Sequence, residues 1–427
     1  MKWLWAVLVV SAVQAEPLPM RFDLAQARRQ ALAQSPALRQ YQARLKEARF
    51  KVDETYSQAA PTLKIVAGAS RITPPVEPVV AGRLLNITPE YNYFSTLSLR
   101  QSLLTFGRLE WSTAAAELAE KAQQAELEER AAGVLEEAGL AYLETLLSSE
   151  QVSISQDLLK ARQAHLQEAR SLVEAGTAAP FEVKRNQAAL AQSQQVHLEN
   201  LNTARLARLR LFSILQSPDQ GQVLEPVTEL PPAPKEDLKQ ALERRLDLAA
   251  QRWAVEAARA RVQRTQAQHN PSLFLQSDYT LRNATSFLPA QQWSIGLQLE
   301  IPLFDGGLHQ AQSDQASQIV EQLLAVYDQS ERQARLELEG LLLEIQSRRE
   351  RLDVLLDGLE SAQEAVRIAR LRYRNGLGTN VELLDSEAAF TSARQEHVVA
   401  RYRYLQSITR YHRAAALNTP GTEGNRP

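Results

Sequence analysis

Three acidic residues stand out by their placement. Glu182 and Glu382 follow the glycines of two similar segments, Ala175-Gly176 and Asn375-Gly376, at the same distance. Asp385 stands three residues beyond Glu382, which puts both carboxylates on one face if the segment is helical. At roughly 6 Å in water two such charges repel by only about 0.7 kcal/mol, so the pair is tolerable in a wet setting and can attract cations. Acids so placed also favour a helix N-terminus, and on long helices they are more often surface than catalytic. Other reactive chemistry is thin. The six histidines, His165, His197, His269, His309, His397 and His412, show no close pairing along the chain. There is no Gly-x-Ser-x-Gly and no phosphate-binding loop. With no cysteine, thiolate metal sites, a thiol nucleophile and disulfides are excluded. The expectation is no catalysis, no cofactor and no resident metal.

The elements that carry these residues are long. The 427-residue chain has 48 Lys and Arg against 50 Asp and Glu, a net charge of −2, which gives no bulk attraction to nucleic acid. Its 44% hydrophobic content is mostly Ala and Leu beside abundant Glu, Gln and Arg, a helical composition. From about Phe106 to Val173 there is no proline, and about 68 helical residues would span on the order of 100 Å. In the matching later segment Leu338, Leu341, Ile345, Leu352, Leu355, Leu359, Ala362, Val366, Ala369 and Tyr373 fall at three-and-four spacing, a coiled-coil seam. Val381, Leu384, Ala388, Val398, Tyr402 and Leu405 continue it more loosely after the turn. Arg348-Arg349-Glu350-Arg351 is most simply a solvated face.

The chain reads as two copies of one plan: helix, strand, loop, strand, very long helix, tight turn, helix. Pro61-Thr62-Leu63 recurs as Pro271-Ser272-Leu273, and Leu104-Thr105-Phe106-Gly107 corresponds to Leu303-Phe304-Asp305-Gly306. The copies are expected at 16–216 and 236–417, joined by a proline-rich linker at 217–235, with a disordered tail at 418–427. Period-two alternation places strands at about 62–72, 91–103, 272–282 and 292–303. The last is cleanest, with Trp293, Ile295, Leu297, Leu299, Ile301 and Leu303 on one face. Residues 1–15 read as an export signal, with Lys2, an apolar run and Val13-Gln14-Ala15 before the cleavage point. No later segment is apolar enough for a transmembrane helix, so a place in a membrane would have to be taken by strands. Strands of about ten residues with one apolar and one polar face suit a transmembrane barrel, but four cannot close one, so their edges must pair with other copies. The alternative is an exported periplasmic coiled-coil scaffold with a soluble, half-buried sheet.

In order along this duplicated plan, Ile301-Pro302-Leu303-Phe304-Asp305-Gly306-Gly307, Phe106-Gly107, and the stretch from Tyr373 through Gly376, Thr379, Val381 and Glu382 to Asp385 resemble the TolC-like outer-membrane efflux proteins. The resemblance covers nearly the whole chain after the export signal. It implies a mainly helical homotrimer: twelve strands, four from each chain, would form one transmembrane β-barrel in the bacterial outer membrane, and a coiled-coil tunnel would extend into the periplasm. It further implies a passive exit duct for efflux or type I secretion, held in outer-membrane lipid and working with a periplasmic adaptor (membrane fusion) protein and an inner-membrane pump. On the same basis Tyr373, Glu182, Glu382 and Asp385 would constrict the entrance, and Gly176, Thr177, Gly376, Leu377, Gly378 and Thr379 would meet the adaptor. Gly378 departs from the familiar pattern, standing where the best-known member has a basic constriction residue.

Overall fold

The computed structural model describes residues 21–85, 87–235, 237–285 and 287–417; the expected export signal at 1–15 and the expected tail at 418–427 lie outside them. In chain order the elements are β1 (Arg21–Phe22), α1 (Leu24–Gln34), α2 (Pro36–Ser57), β2 (Thr62–Arg71), β3 (Val79–Val80), β4 (Arg83–Leu84), β5 (Tyr91–Leu104) and α3 (Arg108–Glu174). There follow α4 (Pro180–Ile214), β6 (Val223–Leu224), α5 (Leu238–Arg244), α6 (Leu246–Ala267), β7 (Ser272–Arg282), β8 (Gln291–Glu300), α7 (Leu308–Arg374) and α8 (Asn380–Ala414). The protein is mainly helical, and α3 and α7 are each 67 residues long. Neither they nor any other described helix is apolar enough to cross a membrane. The chain divides into two compact units, the first holding the described residues as far as Pro36, Ala131–Asp237 and those from Glu337 on, the second holding Ala37–Arg130 and Leu238–Leu336.

The first unit is helical and has a closed core. Asp23 starts α1 with a reciprocal cap: its carboxylate accepts from the Gln26 amide at 2.6 Å while the Gln26 side chain accepts from the Asp23 amide at 3.0 Å. Leu135, Tyr142, Leu143, Leu211, Leu338, Ile345, Tyr402, Tyr404 and Tyr411 are all fully buried. Burying tyrosines requires partners for their hydroxyls. The Tyr142 hydroxyl sits between the carbonyl oxygens of Phe22 (2.8 Å) and Glu225 (2.7 Å), Tyr402 donates to Glu150 at 2.6 Å, and Tyr404 donates to the Pro231 carbonyl at 2.6 Å. Burial and the Glu150 carboxylate push the Tyr402 phenol well above its ordinary range. The segment 217–235 is therefore fastened to the helices rather than loose: β6 pairs in parallel with β1, and the Arg401 guanidinium donates to the Val227 carbonyl. Nothing in the proline spacing signalled these anchors.

The second unit contains a four-stranded antiparallel sheet in the order β2-β5-β7-β8. The registers Leu63↔Leu99, Leu97↔Tyr279 and Tyr279↔Trp293 carry one set of side chains across all four strands. Leu63 and Ile65, Leu97 and Leu99, Leu273 and Leu275, and Trp293, Ile295, Leu297 and Leu299 share that face, with Tyr91, Tyr93, Tyr279 and Trp293 gathered toward one end. The other face is mainly polar, and Thr96 and Thr280 bond across it at 3.1 Å. Every residue of β8 is exposed, Trp293 by 68% and Leu297 by 67%, and Leu63 and Ile65 of β2 are equally bare. Among the described residues no helix of the unit covers this apolar face. The alternation that continues to Leu303 outlasts its strand: β8 ends at Glu300, and Pro302 has no amide hydrogen with which to extend the ladder. The long loop after β2 also contains the small β3–β4 hairpin, turned by Ala81 and Gly82 at positive φ.

Candidate functional site

The two helical turns lie in the first unit and share one construction. At the end of α3 the Gly176 amide donates to Val173 at 3.0 Å and the Thr177 amide to Leu172 at 2.9 Å; at the end of α7 the Gly376 amide donates to Tyr373 at 3.0 Å and the Leu377 amide to Arg372 at 2.8 Å. Both glycines take the left-handed conformation, φ +73° and +71°, which stops the helix and returns the chain. Each return helix then places an acid in its first turn, Glu182 in α4 and Glu382 in α8, where the unpaired amides favour negative charge. The starts differ. Thr379 caps α8, its hydroxyl accepting from the Glu382 amide at 3.2 Å, whereas α4 begins with Pro180 and no side-chain cap.

The residues named from sequence fall into two groups. Glu182 and Tyr373 are partly buried, and Glu182 accepts a hydrogen bond from the Asn380 amide group at 3.0 Å, joining the first turn to the second. Burial, together with the Glu168 and Glu182 carboxylates, raises the Tyr373 phenol above its ordinary range. Glu382 and Asp385 are exposed. At the apices Gly176, Thr177 and Gly376 are exposed, as is Leu377 by 72%, an apolar side chain offered to solvent. Gly378 is tight instead: a Cβ there would lie 3.1 Å from Cβ of Arg372 and 3.2 Å from Oε2 of Glu382. The basic residue of the better-known pattern would need this turn to shift.

Sequence reasoning missed the most heavily charged spot near these turns. Glu387 of α8 accepts from His165 Nε2 at 2.9 Å and from Arg370 at 3.2 Å, with Arg162 3.8 Å away. Burial alone would raise this carboxyl, but the His165 and Arg370 hydrogen bonds and the Arg162 charge outweigh it and leave it below the usual range. His165 and Glu387 are 222 residues apart, so no local spacing could flag them. In the second unit His269 and His309 also come together, their rings stacked with centroids 4.9 Å apart, which corrects the impression of six scattered histidines. Among the described residues no group of three or more His, Asp or Glu side chains could hold a metal ion.

Comparison with known proteins agrees with this architecture. The "Proteases secretion protein PrtF" of Dickeya chrysanthemi is 27% identical over 74% of this chain and 71% of its own length, and the "Alkaline protease secretion protein AprF" of Pseudomonas aeruginosa is 27% identical over 75% and 68%. The solved structure of the outer-membrane channel OprN superposes with a TM-score of 0.78 at 25% identity, covering 92% of this chain and 89% of that one. The profile of the family described as "Outer membrane efflux protein" matches residues 27–216 and 238–415. The chain belongs to the outer membrane efflux protein family.

Proposed function

We propose that the protein is the passive outer-membrane exit duct of a tripartite efflux or type I secretion system, assembled as a homotrimer. The observation that carries this reading is the bare apolar face of the four-stranded sheet. A sheet belonging to a soluble scaffold buries one face against its own helices, and this one leaves Leu63, Ile65, Trp293, Ile295, Leu297 and Leu299 exposed. Lipid is the medium that accepts such a face. The aromatic residues collected toward one end, Tyr91, Tyr93, Tyr279 and Trp293, suit a membrane interface. The free edges of β2 and β8 require strands from other copies, and four strands from each of three chains close a twelve-stranded barrel.

On this reading 16–216 and 236–417 are two copies of one plan, and their turns form the periplasmic entrance. Tyr373, Glu182, Glu382 and Asp385 constrict it, with the exposed Glu382 and Asp385 giving a cation preference. Gly176, Thr177, Gly376, Leu377, Gly378 and Thr379 meet a periplasmic adaptor, which links the duct to an inner-membrane pump. The shared hydrogen-bonded construction of the two turns supports repeatable docking surfaces there.

Fractionation of cells producing the protein tests the reading. The chain is expected in the outer membrane, released by detergent and not by a high-salt wash, and chemical cross-linking should stop at three copies. Release by salt alone as a monomer would overturn it.

A further inference from the structure

Glu387 is the only aspartate or glutamate among the described residues to be fully buried, at 5% exposure, and it lies beside Arg162, one of two buried arginines. This single carboxylate of α8 gathers His165 and Arg162 from α3 and Arg370 from α7. Arg162 also donates to the Leu384 carbonyl, while its Nη1 has no hydrogen-bond partner, so Glu387 is the counter-charge nearest to it. Five residues, or about 7.5 Å along the helix, separate Glu387 from Glu382. At the turn itself Gly378 has no side chain, and the polar link between the two turns is the partly exposed bond from Asn380 to Glu182.

We infer that Glu387 is the positioning residue that holds the first turns of α8, with Glu382 and Asp385, against α3 and α7, and so sets the width of the entrance. The inference rests on the duct reading for what the entrance does, but the clamp itself is a property of one chain. Removing the carboxylate charge leaves the Arg162 and Arg370 guanidinium groups beside the His165 imidazole, with the buried Arg162 deprived of its nearest counter-charge. The helices then lose their charged link at this level and keep only the packing of buried side chains such as Leu166, Leu383 and Leu384.

Two measurements on the full-length, membrane-assembled protein test it: amide hydrogen exchange and single-channel conductance of wild type, Glu387→Gln, and the charge-keeping Glu387→Asp. Glu387→Gln should speed exchange about tenfold in 158–170 and 380–390 while leaving the other helices unchanged. Its conductance should rise, and Glu387→Asp should keep both readings closer to wild type than Glu387→Gln does. Exchange and conductance equal to wild type in Glu387→Gln would overturn the inference, as would faster exchange spread evenly over all helices. If Glu387→Gln does not assemble, Arg370→Gln, whose side chain is 51% exposed, is read in its place with the same two outcomes. A wild-type protein that never conducts counts against the duct, whereas the exchange result still decides the clamp.

Discussion

The helical first unit and the sheet of the second treat the same kinds of side chain in opposite ways. In the first, Leu338, Ile345 and Tyr402 are sealed by neighbouring helices of their own chain. In the second, Leu297, Ile295 and Trp293 are ordered along a strand and left uncovered. The difference shows which contacts a single chain supplies and which it leaves to its surroundings. A helical core reaches close packing by itself, while this sheet leaves its apolar face uncovered by the described part of its own chain.

Leucine substitutions test that contrast most directly. Leu338→Ala should lower stability by about 2–5 kcal/mol, because its cavity is enclosed by fixed helices. Leu297→Ala should cost far less, since its side chain is exposed and on the outer-membrane reading lipid fills the space, and equal losses in thermal denaturation of the two variants would break the comparison. Placing a charge on the same strand sharpens it: Leu297→Arg should cost about 2–4 kcal/mol and reduce the amount of assembled protein in the membrane, while Gln298→Arg on the opposite face should be tolerated.

The remaining tests lie within the helical unit. The partners of Glu387 hold its carboxyl below the usual value, so the unfolded chain binds this proton more readily than the fold does. Its contribution is therefore complete above the unfolded value near about 4.3 and is withdrawn as the pH falls through the lower folded value. Melting curves of wild type and Glu387→Gln should differ most at neutral pH and converge in acid. Gly376→Ala should cost about 1 kcal/mol, because a Cβ is strained at φ +71° although the space around it is open. Glu382→Ala with Asp385→Ala should leave melting nearly unchanged and, on the entrance reading, reduce cation preference in reversal-potential measurements.

Local patterns announced the features that depend on neighbouring residues. Period two in Trp293–Leu299 reports a strand because successive side chains must point to opposite faces, and Asn375-Gly376 reports a helix stop because few other residues tolerate positive φ. Glu182 and Glu382 could be matched through their common distance from those glycines. Contacts formed between distant segments left no such trace. The bond between Asn380 and Glu182, the cluster around Glu387, and the hold of Tyr142 on Phe22 and Glu225 depend on which helices become neighbours. Alternation was equally silent on whether the apolar face of the sheet would be covered, because a covered and an uncovered strand have the same period.

The open margins of β2 and β8 have a consequence for the protein's biogenesis. On the trimeric-duct reading, every newly exported chain carries two adhesive borders through an aqueous compartment, and the strands best able to satisfy them belong to its sisters. On that reading correct assembly and aggregation draw on the same backbone groups, and raising the rate of synthesis would favour tangles over closed rings unless an escort shields the strands until the third copy arrives.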